Sequence, residues 1–200
     1  MRQRSVAWLL AALLAAVPLA GQGRLSREDA DRFQSKLTRI VAFGNAPAVK
    51  AAKPQSTPVT DAEVNSYLKY NAGSQVPTGI VDPVLSALGE GRVSGRAVVD
   101  LDAVRTQKKR GWLDPLGYLT GRLPVTASGV LTTKEGQGQF VLQSAEISGV
   151  TIPKSVLQEL LSYYSKSKEN PEGINMDAPF ELPSRIREIR VGTGTSTVVQ

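Results

Sequence analysis

The sequence predicts an α+β fold: a curved antiparallel β-sheet wrapped around a long C-terminal helix, with short helices ahead of it. Three observations carry that expectation. Apolar residues recur at three- and four-residue steps near the start and again from Val156 to Tyr164, whereas between Ile80 and Leu142 they recur at every second position. Two glycine-bearing turns, Gly89-Glu90-Gly91 and Lys134-Glu135-Gly136-Gln137-Gly138, separate alternating runs as hairpins do. The order helix, meander, helix, hairpin keeps helices and strands in blocks, which is the signature of α+β rather than of a parallel sheet.

The chain opens as an export leader, read over residues 1–21. Arg2 and Arg4 give a positive start, Val6 to Val17 form an apolar run without a charge, and Pro18, Leu19, Ala20 and Gly21 end it with a breaker and small residues. The run is shorter than the ~20 residues needed to cross a bilayer core. Gln22 stands where a lipid-bearing Cys would follow Leu19-Ala20-Gly21, which excludes acylation there.

An amphipathic helix over 24–44 follows, with Ser26 and Asp29 as a capping pair and Ala30, Phe33, Leu37, Ile40 and Val41 as one stripe. Residues 45–58, rich in Ala, Pro, Lys, Ser and Thr and without a period, read as a linker. The main domain then spans 59–200. Thr60 and Glu63 form a T-x-x-E capping box for a short helix carrying Val64, Tyr67 and Leu68.

Strands come next, with Val93, Gly95, Ala97, Val99 and Leu101 on one face, then Leu123, Val125, Ala127 and Leu131, then Phe140 and Leu142. Beyond Ser144 the apolar phase slips by one, to Ala145 and Ile147, which predicts a bulge; Gly95 and Gly129 predict bending. Pro153 opens a helix with Val156, Leu157, Leu160, Leu161 and Tyr164 on its apolar face, placed on the concave side of the sheet. Ile186, Ile189, Val191, a Gly192-Thr193-Gly194 turn and a strand over 195–199 close the chain.

Composition excludes much chemistry. With no His and no Cys, histidine triads, thiol nucleophiles, disulfides and the usual zinc ligand sets are absent. The formal charge is +6, from 24 Lys and Arg against 18 Asp and Glu, and loss of Arg2 and Arg4 with the leader leaves a milder basic excess. That balance suits anionic headgroups or an acidic partner, and an exported chain has little occasion to meet nucleic acid. Ser66-x-x-Lys69 and Ser165-x-x-Lys168 match S-x-x-K without the K-T-G and S-D-N elements that accompany it in penicillin-binding types. Asp100 and Asp102 read as a solvated pair answered by Arg92 and Arg96. The expectation is a non-enzymatic protein with no cofactor and no metal.

From about Thr60 onward the chain resembles the LmeA-like proteins of the bacterial envelope, related to the tubular lipid-binding superfamily. Gly149-Val150-Thr151-Ile152-Pro153 leads into the Val156 to Leu161 helix, and Leu182-Pro183 precedes Ile186, Ile189, Val191 and a glycine turn. The helix from Asp61 to Tyr70, with Glu63, Val64, Asn65, Tyr67 and Leu68, is similar to that family's opening helix. The resemblance implies a phospholipid held in an apolar groove between sheet and helix, and no catalytic set.

The residues expected to line such a groove are Val93, Val99, Leu101, Val125, Phe140, Leu142, Leu157, Leu160 and Leu161, all of which serve a dry core equally well. Lys108, Lys109, Arg110, Trp112 and Leu113 join cations to an indole as a membrane-contact loop would, or form a solvated run beside a core Trp. Two readings stay open. One is an exported periplasmic or extracellular protein that binds a lipid or other amphiphile and contacts anionic membrane. The other is an envelope scaffold whose 24–44 helix docks a protein partner, while folding of that helix back onto a sheet edge is an equal alternative to docking.

Overall fold

The structure, a computed structural model, describes residues 24–47, 54–106, 120–166 and 170–200. The leader over 1–21, part of the 45–58 stretch and the Lys108 to Leu113 run lie outside the described residues.

Helix α1 (Arg27–Asn45) starts where Ser26 Oγ accepts the Asp29 N–H at 3.0 Å, as the capping pair predicts. Strand β1 (Ser56–Thr60) begins inside the stretch read as a linker over 45–58, because all five of its residues pair with the last strand of the chain. Helix α2 (Asp61–Tyr70) carries the full capping box: Thr60 Oγ1 accepts from Glu63 N at 3.2 Å and Glu63 Oε2 accepts from Thr60 N at 2.9 Å. Then come β2 (Ile80–Gly89) and β3 (Arg92–Asp100), joined at Glu90 and Gly91, both at positive φ as a tight hairpin turn requires.

Helix α3 (Leu101–Thr106) begins at once, because Asp100 Oδ1 accepts the Ala103 N–H at 3.0 Å and ends the strand alternation one residue short of Leu101. Asp100 pairs with Arg122 Nε at 3.0 Å, and Arg92 pairs with Glu90 at 3.8 Å. Strands β4 (Arg122–Lys134) and β5 (Gln137–Ile147) form the second hairpin. Their register shifts between Ser128 and Gly129, where Gln143 is the extra residue, so the bulge expected from the apolar phase slip is present. Strand β6 (Val150–Thr151), helix α4 (Lys154–Ser165), and strands β7 (Phe180–Glu181), β8 (Glu188–Val191) and β9 (Thr195–Val199) complete the chain.

Two antiparallel sheets result. One has the order β1-β9-β8; the other has β2-β3-β4-β5-β6, with β7 also pairing β5. Thr133 Oγ1 joins them, donating to Ile189 O at 3.0 Å and accepting from Ile189 N at 2.7 Å. Ile40, Ile186 and Val198 form the buried core between α1 and the smaller sheet, with Leu182 and Ile189 packed on it.

The expected sheet around a long C-terminal helix is not what forms. Helix α4 has 12 residues, none of those described is buried, and the chain beyond it runs in strands; the longest described helix is α1, with 19. The reason lies in the loop after α4. Gln158 binds Ile174 O at 2.9 Å and Met176 N at 2.8 Å, and Ser165 Oγ accepts from Ile174 N at 2.7 Å. One flank of α4 is thus covered by its own downstream segment. A helical stripe dictates that something must cover it, not what does.

Helix α2 instead seals the edge of the larger sheet. Asn65, one turn from Asp61 and on the same helix face, donates to Leu85 O and accepts from Leu85 N, both at 2.7 Å, as a neighbouring strand would. Asp61 accepts the Ala87 N–H at 3.0 and 3.2 Å. Asn65→Leu keeps the volume and removes both bonds, leaving a backbone donor and acceptor unpaired under the helix. Stability should fall by about 2 kcal/mol, read as a lower urea midpoint at unchanged slope.

Candidate functional site

Alternation along β3, β4 and β5 puts a continuous apolar face on one side of the larger sheet. The cross-strand rows are Ala87, Val93, Gly129, Leu142; then Leu85, Gly95, Ala127, Ala145; then Ala97, Val125, Ile147. Ser86, Ser94, Ser128 and Ser144 form the row of the opposite face, with Ser128 and Ser144 hydroxyls 2.7 Å apart. Apart from Leu85 on the edge strand, the middle row carries only the small residues Gly95, Ala127 and Ala145, which leaves room above the floor of the sheet.

Two clefts open on that face. The larger, of ≈ 570 Å³, lies under α1 and α2, with Phe33, Leu37, Val59 and Val64 opposite Ala87, Val93, Leu131 and Phe140. The smaller, of ≈ 260 Å³, runs toward α4 between Ala97, Val125 and Ile147 and the side chains of Ile152 and Leu157. Walls of this kind offer apolar contact and little hydrogen bonding. Among the described residues, Asp61 is the one charged side chain lining the larger cleft; burial pushes its carboxyl above the ordinary range, and the Ala87 N–H bond offsets only part of that rise.

The cover is fastened. Ser66 Oγ, fully buried, accepts the Ser26 N–H at 3.1 Å, and Phe33 meets Tyr67 edge to face at 5.2 Å between centroids. Lys36 Nζ donates to both Glu63 carboxylate oxygens and to Pro58 O, each at 2.7 Å. Burial pushes the Glu63 carboxyl up, but the Lys36 bonds, the Thr60 N–H, and the Lys36 and Arg32 charges outweigh it and hold the group below its usual value.

The residues expected from sequence are divided. Val93 and Phe140 line the larger cleft, and Val125 and Leu157 the smaller. Val99, Leu101, Leu142, Leu160 and Leu161 line neither; Leu101, at 2% exposure, is fully enclosed where α3 begins. Lys108, Lys109, Arg110, Trp112 and Leu113 lie outside the described residues. Ser66 of the first S-x-x-K match is taken up by the Ser26 bond, and Lys69 lies over the Tyr70 ring at 5.4 Å.

What sequence reasoning missed is the roof. The stripe of Phe33, Leu37 and Ile40 is legible in the sequence, but its period fits a docking arm and a helix folded back on the sheet equally well, and only the cleft shows the second. Val59 follows Pro58 directly and Leu85 lies two residues beyond Pro83, in stretches with no clean period.

No family model and no curated protein sequence matches the chain. Among solved structures, a lipopolysaccharide binding protein aligns at a TM-score of 0.22 and 14% identity, over 72% of this chain. The chain spans 40% of the length of that protein. Likeness at that level does not establish a shared fold. The fold and the site therefore define this molecule by themselves, as an α+β protein of two antiparallel sheets with an open apolar trough under its N-terminal helices.

Proposed function

We propose that this is an exported, non-catalytic protein that holds a phospholipid or similar amphiphile, with its alkyl part in the trough between the larger sheet and helices α1 and α2. The observation that carries the proposal is the larger cleft. Its ≈ 570 Å³ falls within the roughly 300–1,000 Å³ of small-molecule sites, and its walls are almost wholly apolar. Alkyl burial contributes roughly 0.8 kcal/mol per methylene, whereas an unpaired polar group inside such a space would cost more. Leu85 lines both clefts yet remains 48% exposed, as a wall awaiting a guest would.

Export is supported by the leader over 1–21, and a non-catalytic role by the absence of His and Cys. The Phe33, Leu37 and Ile40 stripe of α1 faces the trough, which favours a covering role over the docking of a protein partner.

Native mass spectrometry of the purified protein, followed by extraction, should release a bound amphiphile, and the emptied protein should take up a fluorescent phospholipid from vesicles. Val93→Trp, which projects an indole into the larger cleft, should weaken uptake at least tenfold, about 1.4 kcal/mol, with an unchanged circular dichroism spectrum. Empty protein that takes up nothing from vesicles would overturn the proposal.

A further inference from the structure

The two clefts share Leu85, Gly95 and Ala127, which lie side by side in one cross-strand row. They are two chambers with a common wall. On the floor of that wall Gly95 and Ala127 leave almost no side chain between them. Above the floor stands Leu85, directly over Gly95: a Cβ placed on Gly95 would come within 3.3 Å of Leu85 Cδ2.

The backbone of Leu85 is held rigidly, its N–H and C=O both taken by Asn65 at 2.7 Å. Its side chain is half exposed and free to change rotamer on that fixed base. Lying over Gly95 it narrows the waist between the clefts, and turned away from Gly95 it would widen it. Ala145, the next residue along the row, is as small and leaves the passage open on the β5 side.

We propose that Leu85 over Gly95 is a gate that sets the length of the alkyl chain the protein accepts, a single unbranched chain passing from the larger chamber beneath α1 into the smaller one beside α4. This inference rests on the amphiphile-binding reading and adds the specificity-determining residue and the shape of the ligand. A branched or ring-bearing tail would meet Leu85 at the waist. A straight chain gains contact in the second chamber for each methylene that passes it.

The test is displacement of a fluorescent alkyl probe by saturated fatty acids of increasing length, for the wild type and three variants. In the wild type, affinity should rise roughly fourfold per added methylene, the equivalent of ~0.8 kcal/mol, up to a limiting length. Gly95→Val fills the waist beside Leu85 with a branched side chain and should bring that limit to markedly shorter chains. Leu85→Ala should admit mid-chain-branched acids that the wild type binds at least tenfold more weakly than straight ones. The double variant Gly95→Val/Leu85→Ala should regain long-chain binding, which a merely misfolded Gly95→Val could not do. Probe binding with the same limiting length in all four proteins would sink the gate and leave the amphiphile reading intact. A wild type that binds no probe would bring down both.

Discussion

Lys36→Met should cost about 3 kcal/mol of stability at neutral pH, and that cost should shrink as the solution is acidified. Glu63 is 5% exposed, and its carboxylate is satisfied by Lys36 at 2.7 Å on both oxygens, by the Thr60 N–H at 2.9 Å and, more distantly, by Arg32 at 3.7 Å. Methionine preserves much of the aliphatic stem and removes the ammonium, so a buried carboxylate loses its main counter-charge, which costs far more than an exposed pair would. The Pro58 carbonyl loses its donor as well.

The sign of the pH effect follows from the direction of the Glu63 shift. Its folded value lies below 4.5, so the stability it contributes is fully present above 4.5 and is lost as the pH falls through the lowered folded value. In the variant both Lys36 contributions are gone and only the Thr60 N–H and Arg32 still oppose burial, so acid removes less. The difference between the two proteins therefore narrows below pH 4.5. Asp61 acts in the opposite direction: its raised folded value makes the folded state gain on protonation, down to its ordinary 3.8. Asp61 is present in both proteins, so its contribution drops out of the comparison. Urea unfolding of both at neutral pH and below 4.5 measures the effect, and an unchanged difference would rule out the Lys36 and Glu63 pair as the clasp between α1 and α2.

Gly44→Ala should destabilise by about 2 kcal/mol, although alanine is the better helix former by about 1 kcal/mol. Gly44 lies inside α1, where propensity alone favours the substitution. An added Cβ would stand 2.5 Å from Ser184 Cα and 2.6 Å from Ser184 O, which are backbone atoms that no rotamer change can move away. The helix or the turn must shift. That turn is itself constrained, since Ser184 and Arg185 both have positive φ without being glycine, and Ile186 N closes it onto Pro183 O at 3.0 Å.

Three things hold the turn against α1. Gln200 Nε2 bridges Ile40 O at 2.9 Å and Ser184 O at 2.6 Å, Arg185 donates to Ala46 O, and Ile40 packs on Ile186 in the core. Separating helix and turn by the amount a methyl needs would loosen all three together. A midpoint of thermal unfolding lower than that of the wild type is the expected reading; a higher one would mean that helix propensity outweighs the close approach. Because Ile40 and Ile186 also line the larger cleft, the same variant should bind an amphiphile more weakly.

Much of the local structure is legible in the sequence, because its causes are local. Thr60 and Glu63 fix the start of α2, Glu90-Gly91 and Glu135-Gly136 fix the two hairpins, and the slip from Leu142 to Ala145 reveals the bulge. The inner face of the sheet is legible too, since alternation assigns every residue to a side. Its cleft-lining part is not. Val93, Phe140, Val125 and Leu157 stand at clefts whereas Val99, Leu101, Leu142, Leu160 and Leu161 do not, and nothing in a period of two or 3.6 separates those groups.

By itself the sequence determined the elements, their caps and turns, the apolar side of each strand, and the absence of His and Cys chemistry. Only the tertiary structure decided which helix covers the sheet. It placed α1 there and tied α4 to its own downstream loop, through a carboxylate and an ammonium 27 residues apart and an amide that completes a strand edge 20 residues away. Periodicity records that an apolar face must be hidden from water. Its hiding place is chosen by contacts between distant residues, each competing with every other apolar face in the chain.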